Sequence, residues 1–304
     1  MGYYGILLRI IAFFFSNLTE KRAQAMMERA IRHEKQEEGG EVKAVICFEM
    51  LFPGKTPEEK IGLVAEAGFE AVEFWGWRDK NLQALREACR RHGVEVANFS
   101  GHRLGSPAAE STHQAFFGDL REAVGVAKQL GCRQLMILTN ELGEGGRVVN
   151  AFAEIPDERK FENVLKAVGK ALEWLPKDFT ILLEPLNTRV DHAGYYLTDM
   201  ETASRLVRRV ADRRFRILCD LYHLGVMGAE LEQVLDKHIE DIGYFHIADF
   251  PGRHEPGTGG ADWPALLRRI RRLGYTGCLG FEYAPEEDSA ESLRRIHELW
   301  GGLG

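Results

Sequence analysis

The sequence lacks three features that mark large classes of protein. Its five cysteines form no C-x-x-C pair, so the spacing of common zinc and redox motifs is missing. No apolar run reaches the roughly 20 residues that a membrane-spanning helix requires. Positive charge is also scarce, because acidic side chains outnumber basic ones and the formal net charge is −7. We therefore expect a cytoplasmic protein with reduced thiols and with neither a membrane nor a nucleic acid as its partner.

The N-terminal segment differs from the rest of the chain. Residues 6–15 are apolar but interrupted by Arg9, and no basic residue precedes them, so they make a poor signal peptide. From Asn17 to Glu38 the chain is charged, free of proline and apolar at helical spacing. We expect residues 1–42 to form a helical extension that packs on the main domain or on a partner. A mis-assigned start codon would explain the segment equally well.

Residues 43–304 repeat one pattern eight times. A short apolar run is followed by a helical pattern, and most of these helices stop at a glycine before the next run. The predicted strands are Ala44–Cys47, Ala71–Phe74, Val94–Phe99, Gln134–Leu138 and four more that end at Glu184, Asp220, His246 and Glu282. Eight strand-helix units within about 250 residues are typical of a (β/α)8 TIM barrel, an α/β fold. We predict one such barrel at 43–304.

The last four predicted strands each end on a residue that can bind a metal ion. They are separated by 36, 26 and 36 residues, which is one strand-loop-helix unit each time. Because all strands of such a barrel end at one rim, Glu184, Asp220, His246 and Glu282 should converge there. A single carboxylate could instead cap a helix or pair with an arginine. Three carboxylates and one histidine at equivalent positions favour one divalent metal ion. This oxygen-rich set prefers Mg²⁺ or Mn²⁺ to Zn²⁺.

Other polar and aromatic residues fall in the loops of the same rim. His223 follows Asp220 by three residues, and Arg253 lies in a loop rich in glycine and proline that could bring its guanidinium over a substrate. His102 and Trp75 follow earlier strands and are predicted to line the pocket. Simple packing is an equally good interpretation of Trp75 and of its neighbour Trp77.

Six segments of the chain resemble one known superfamily. From Val45 to Pro285 the sequence is similar to the xylose isomerase-like barrels, and most closely to their hydroxypyruvate isomerase branch. The segments that carry the resemblance are EMLF at 49–52, VEFW at 72–75, LLEPLN at 182–187, DLYH at 220–223, HIADFPGRHEPGTG at 246–259 and GFEY at 280–283. The segment PGRHEPGTG is the most specific of them, whereas the separate acidic residues are shared across the superfamily.

The resemblance implies an enzyme and assigns roles to residues. It implies that Glu184 and Glu282 bind metal and exchange protons with substrate, and that Asp220 and His246 bind metal. The implied reaction is a metal-dependent isomerisation of a small hydroxy-keto acid or sugar through an enediolate, first of all hydroxypyruvate to tartronate semialdehyde. His246 departs from the pattern, since bacterial hydroxypyruvate isomerases often have glutamine there and ketose 3-epimerases have histidine.

Several other functions remain open at this point. A ketose 3-epimerase or an inosose dehydratase would use the same barrel and the same type of site. An abasic-site endonuclease is a remote alternative, because those enzymes place an aspartate before the arginine of the strand-seven loop where this chain has Gly252. A metal-binding barrel without catalysis is a further reading, which the complete acid-base pair disfavours. The sequence leaves open whether the chain forms a homo-oligomer.

Overall fold

The computed structural model describes residues 42–302, and these fold into a parallel barrel. The strands are β1 (Lys43–Cys47), β2 (Ala71–Phe74), β3 (Glu95–Phe99), β4 (Gln134–Ile137), β5 (Thr180–Leu183), β6 (Phe215–Asp220), β7 (Ile242–Ile247) and β8 (Cys278–Phe281). Their order is β3-β2-β1-β8-β7-β6-β5-β4, with parallel pairing throughout. A parallel bridge between Ser100 and Met136 joins the two ends of this order. The predicted TIM barrel is confirmed, whereas the helical extension predicted for 1–42 falls almost entirely outside the described residues.

Helices follow the strands and cover the outside of the barrel. They are α1 (Pro57–Glu66), α2 (Leu82–His92), α3 (His113–Leu130), α4 (Asp157–Trp174), α5 (Met200–Val210), α6 (Leu221–Val226), α7 (Leu231–His238), α8 (Trp263–Arg272) and α9 (Ser289–Gly301). α1 begins as its sequence dictates, with Thr56 and Glu59 forming a capping box around Pro57. Across 42–302, no helix is long and apolar enough to cross a membrane.

The register of the strands sets the height of each residue in the barrel. Asp220 on β6 stands opposite His246 on β7, and His246 stands opposite Gly280 on β8. Glu184 directly follows β5, and Glu282 directly follows β8. Strand pairing therefore places Asp220 beside His246, while Glu184 and Glu282 lie at the ends of their strands, so all four predicted ligands are at the carboxyl end of the barrel.

One short helix has no counterpart in the eight strand-helix units predicted from the sequence. The structure places the short helix α6 immediately after Asp220, before α7. Asp220 is its N-cap, and its Oδ1 accepts hydrogen bonds from the backbone N–H groups of Tyr222 at 2.8 Å and His223 at 3.1 Å. A helix of six residues is too short for a periodic pattern to reveal. Its consequence is that one oxygen of Asp220 is fixed and the other faces the barrel interior.

Candidate active site

Three carboxylates surround one nitrogen of His246 at the carboxyl end of the barrel. His246 Nδ1 lies 3.2 Å from Glu184 Oε1, 3.3 Å from Glu282 Oε2 and 4.0 Å from Asp220 Oδ2. The four side chains offer ligand atoms that all lie within 4.8 Å of one another. None of the four residues is more than 5% exposed. The structure therefore brings together all four residues predicted from the ends of β5 to β8.

The donor set fits a divalent cation. Buried acids are rare in proteins unless they are paired or bind a metal, and here three of them share one space. A ligand histidine must be deprotonated at the nitrogen that binds, and it usually contacts a carboxylate through its other nitrogen. His246 meets that description, because Nδ1 faces the three carboxylates while Nε2 approaches Glu73 Oε1 to within 3.1 Å.

Glu73, on β2, is a functional residue that the sequence analysis missed. Its side chain is buried between His246 and Tyr244, whose hydroxyl donates to Glu73 Oε2 at 2.7 Å. Gly280 makes this arrangement possible, because a Cβ atom at that position would collide with Glu73 Oε1 and would lie 2.9 Å from the rings of His246 and Tyr244. Glu73 belongs to the VEFW segment, but a lone acid inside a predicted strand gave no signal of its role.

Charge and burial move the pKa values of the two glutamates in opposite directions. Burial raises the pKa of Glu184 to about 7, although His246 opposes the shift. Burial also acts to raise the pKa of Glu282, but the positive charges of Arg253 and His246 outweigh it and the pKa is lowered. At neutral pH and without a metal, Glu184 is thus the carboxyl group that can hold a proton, whereas Glu282 is ionised.

Two further side chains hold Glu282 in place. Arg253 Nη2 donates to Glu282 Oε2 at 2.5 Å and lies 3.6 Å from Asp220 Oδ2. The indole N–H of Trp75 donates to Glu282 Oε1. The Nε–H of Arg253 is buried and has no hydrogen-bond partner among residues 42–302, and the residue lines the cavity, as predicted for substrate binding.

His223 belongs to a network centred on Asn187. Asn187 Oδ1 accepts from the backbone N–H groups of Val190 at 3.0 Å and Asp191 at 3.1 Å, which fixes the orientation of the amide. Its Nδ2 therefore donates to Asp191 Oδ2 at 2.7 Å and to His223 Nδ1 at 2.6 Å. Since Nδ1 of His223 accepts, the proton of the neutral ring is on Nε2, which lies 3.5 Å from Asp220 Oδ2.

A second group that could hold a metal overlaps with this network. It consists of Asp191, His192 and His223. Its members already have hydrogen-bond partners: Asn187 occupies His223 Nδ1, Tyr222 donates to Asp191 at 3.0 Å, and His192 Nδ1 bonds the carbonyl oxygen of Gly146 at 2.7 Å. Burial, and then the charge of Arg253, lower the pKa of His223 well below its usual value. The group is better explained as a polar wall with a neutral histidine.

The cavity above the cluster has a volume of about 460 Å³. Its wall includes five predicted residues, together with Arg103, the neighbour of His102; the five are Trp75, Glu184, His223, Arg253 and Glu282. His102 is placed elsewhere. Its ring joins the two ends of the sheet order by accepting from the backbone N–H of Leu138 at 3.0 Å, and burial lowers its pKa to about 4. Trp77 lines a smaller adjoining cavity and stacks on Arg78.

The sequence and the fold match proteins that are already known. The xylose isomerase-like TIM barrel family matches residues 61–299. The chain belongs to this family. A putative hydroxypyruvate isomerase from Streptomyces coelicolor is 32% identical over 82% of this chain and 93% of its own. One from Homo sapiens is 28% identical over 81% of this chain and 90% of its own.

A solved structure supports the same fold. The crystal structure of a protein named AP endonuclease, family 2, from Brucella melitensis superposes with a TM-score of 0.75 at 26% identity, covering 84% of this chain and 98% of that one. The fold is supported by this superposition, whereas the family match and the relatives named above identify the chain as an isomerase of the xylose isomerase-like family, in the intramolecular oxidoreductase class.

Proposed function

We propose that the protein is a metal-dependent isomerase that moves a proton between adjacent carbons of a small hydroxy-keto acid or sugar through an enediolate, most simply converting hydroxypyruvate to tartronate semialdehyde. The observation that carries the proposal is the pair Glu184 and Glu282. They flank the same nitrogen of His246, and both line the cavity. Two carboxyl groups placed in this way can take a proton from one carbon and return one to its neighbour.

One divalent cation would be held by Glu184, Asp220, His246 and Glu282. When bound, it supplies positive charge beside the carbonyl and hydroxyl oxygens on which negative charge accumulates. The oxygen-rich donor set suits Mg²⁺ or Mn²⁺ better than Zn²⁺.

The protein's own groups would carry the protons. Glu282, ionised beside Arg253, takes a proton from the hydroxyl-bearing carbon, and the electron pair of the broken C–H bond forms the carbon-carbon double bond of the enediolate. Glu184 returns a proton to the adjacent carbon. The hydroxyl proton must also pass from one oxygen to the other, and His223, with its hydrogen on Nε2, can donate to either oxygen. Arg253, which lines the cavity, would bind the substrate carboxylate.

The experiment that tests this proposal is an activity panel on the purified protein with added Mn²⁺. Hydroxypyruvate, 2-oxo-tetronates, ketohexoses and ketopentoses are compared, together with elemental analysis of the bound metal. We expect one divalent ion per chain and turnover of hydroxypyruvate or a 2-oxo-tetronate. Asp220→Asn should lower metal content, because it removes a charged ligand. Three zinc ions per chain would contradict the proposal in favour of an endonuclease.

A ketose 3-epimerase is the second candidate. The observation that favours it is His246, since the resemblance associates histidine at that position with ketose 3-epimerases. The same two glutamates would then remove and return a proton on opposite faces of one carbon. Conversion of a ketohexose or ketopentose to its C3 epimer, without reaction of hydroxypyruvate, would decide for this alternative.

A further inference from the structure

Arg103 carries a guanidinium group that no other part of the described chain uses. The neighbouring cations are engaged: Arg253 by Glu282 and Asp220, Lys80 by Glu49, and Arg78 by Asp119 and Glu122. Within residues 42–302 the side chain of Arg103 makes neither a hydrogen bond nor an ion pair. Its backbone N–H, by contrast, donates to Asp119 Oδ2. A guanidinium has five N–H donors in a planar fork that matches a carboxylate or a phosphate.

This free group lies on the wall of the active-site cavity. Arg103 lines the cavity together with Glu184, Glu282 and Arg253, and it also lines the smaller cavity that adjoins Trp75.

The loop that carries Arg103 is fixed by its backbone hydrogen bonds. Besides the bond from Arg103 itself, the N–H of Leu104 donates to Asp119 Oδ2 at 3.0 Å, and the N–H of Gly105 donates to Glu141 Oε2 at 2.8 Å. A fixed backbone lowers the entropy lost when the side chain closes on a ligand. The backbone at Arg103 is therefore held in place, while its side chain is exposed to solvent and can bind a ligand.

The size of the cavity shows that hydroxypyruvate alone would leave it largely empty. Its volume is about 460 Å³, and a water molecule in the liquid takes about 30 Å³, so roughly 15 waters would fill it. A three-carbon acid occupies a minor part of that space. Its one carboxylate is attached to the reacting carbonyl carbon, next to the cluster, where Arg253 contacts Glu282. Arg103 is left over for a second group of the substrate.

We infer that the cavity accepts a substrate longer than hydroxypyruvate, and that the end remote from the reacting carbons carries an oxyanion, a carboxylate or a phosphate, which Arg103 binds. This inference rests on the proposed isomerase function and names the substrate class of the same site. Glu144 is the exposed acidic residue of the opposing glycine-rich loop that lines the cavity. Its charge is solvated and screened by salt, so it weakens but does not cancel the attraction.

The test compares four proteins, each loaded with Mn²⁺: the wild type, Arg103→Met, Arg103→Lys and the control Arg147→Met, which removes an exposed arginine outside the cavity wall. The substrates are hydroxypyruvate, a 2-oxo-tetronate with its uncharged terminal hydroxymethyl group, the 4-phosphate of that acid, and 2-oxo-3-hydroxyglutarate. The last two separate phosphate from carboxylate as the remote group.

In the wild type, one of the two substrates with a charged remote end should have the highest kcat/KM. A hydrogen bond to a charged group contributes about 1.5–3 kcal/mol, so Arg103→Met should raise KM for that substrate roughly 10- to 100-fold. The rise in KM for hydroxypyruvate and for the uncharged 2-oxo-tetronate should be much smaller, because neither carries a charged remote group. Arg103→Lys should recover part of the loss, and Arg147→Met should behave as the wild type.

A binding measurement separates failure of this inference from failure of the isomerase proposal. Erythronate and erythronate 4-phosphate lack the carbonyl group and cannot be isomerised, so calorimetry reports their binding alone. One outcome is that no substrate turns over, but erythronate 4-phosphate binds about tenfold tighter than erythronate and Arg103→Met abolishes this difference. The isomerase proposal then fails, whereas the anion site at Arg103 is supported. If hydroxypyruvate is isomerised but Arg103→Met changes KM equally for substrates with charged and with uncharged remote ends, the inference is overturned. Arg103→Gln serves as a second uncharged variant should methionine disturb the fold.

Discussion

The two halves of the barrel contribute different parts of the site. Strands β5 to β8 supply every member of the metal-type cluster, each from the last position of a strand or the residue next to it. Strands β1 to β4 supply groups that contact the cluster or the cavity: Glu73 behind His246, Trp75 on Glu282, and Arg103 at the wall. The second half thus carries the chemistry that we propose, and the first half positions it and recognises the substrate.

This division predicts that substitutions in the two halves will have different kinds of effect on the reaction. Changes at the ends of β5 to β8 should remove reaction steps. Changes at the ends of β1 to β4 should leave the reaction possible and alter metal affinity, pH dependence or substrate preference. The experiments below are ordered from the largest expected effect to the smallest.

The largest effect is expected for Glu184→Gln and for Glu282→Gln. Glutamine keeps an oxygen that can bind a metal but cannot accept a proton from carbon, and general base catalysis contributes about 10²- to 10⁴-fold in rate. Each variant should lose at least that much in kcat while keeping most of its metal. One variant could still exchange the donor-carbon proton with deuterated solvent, which NMR of recovered substrate would detect. Full activity in either variant would exclude a two-base mechanism.

Glu73→Gln tests whether a residue in the first half of the barrel affects metal binding by the second half. The carboxylate of Glu73 faces Nε2 of His246, and loss of such a partner to a ligand histidine typically lowers metal affinity 10- to 100-fold. We expect that loss in the Mn²⁺ dissociation constant measured by calorimetry. The matched control is Glu95→Gln, an exposed glutamate on the neighbouring strand that pairs with Lys43. An unchanged dissociation constant in Glu73→Gln would mean that His246 needs no such support.

The metal-free protein should lose stability as the pH rises, because of Glu184. Burial raises its pKa in the folded state to about 7, above the ordinary value of 4.5, so between these pH values the folded protein binds more protons than the unfolded one. Stability attributable to this group is therefore present below about pH 4.5 and is lost as the pH rises through 7.

Comparison with Glu184→Gln isolates this contribution, since glutamine does not titrate. Urea unfolding of both chelated proteins between pH 5 and 7.5 should show the wild type losing on the order of 2 kcal/mol relative to the variant. Saturating Mn²⁺ should suppress the loss, because a bound cation compensates the buried charge. Parallel pH profiles without metal would show that Glu184 ionises normally.

The halves also differ in how far the sequence could predict them. Glu184, Asp220, His246 and Glu282 each end an apolar run, and parallel strands leave such residues at one rim, so the cluster could be deduced from spacing alone. Glu73 lies inside an apolar run, and its role depends on the missing side chain of Gly280 two strands away. Asn187, in the loop after β5, acts through a hydrogen bond to His223 of α6. Contacts of this kind depend on packing, which single-sequence periodicity does not encode.

His102 shows the opposite difficulty. A histidine after a strand of the predicted barrel is a reasonable pocket residue, yet the structure uses its ring to join the ends of β3 and β4. That position is the weakest seam of the barrel, since β3 and β4 are linked by one isolated bridge. The residues nearby that do line the cavity are Ser100 and Arg103. Whether a residue after β3 lines the cavity or joins β3 to β4 depends on how the sheet closes.

The smallest effect is expected for Trp75→Phe, which keeps an aromatic ring but removes the indole N–H that donates to Glu282. That hydrogen bond helps to lower the pKa of Glu282 against the effect of burial, and Arg253 contributes more strongly. Without it the pKa of Glu282 should rise, so ionisation of the proposed base requires a higher pH. We expect kcat/KM at neutral pH to fall less than about tenfold, with unchanged metal content.

The diagnostic measurement is the pH profile of kcat/KM, whose acidic limb should move to higher pH in Trp75→Phe. The matched control is Trp77→Phe, since Trp77 lines only the adjoining cavity and stacks on Arg78. Its acidic limb should stay where the wild type has it. Equal shifts in both variants would indicate a general disturbance of the β2 loop. No shift in either would mean that Arg253 alone sets the ionisation of Glu282, and that the first half of the barrel leaves the proposed base untouched.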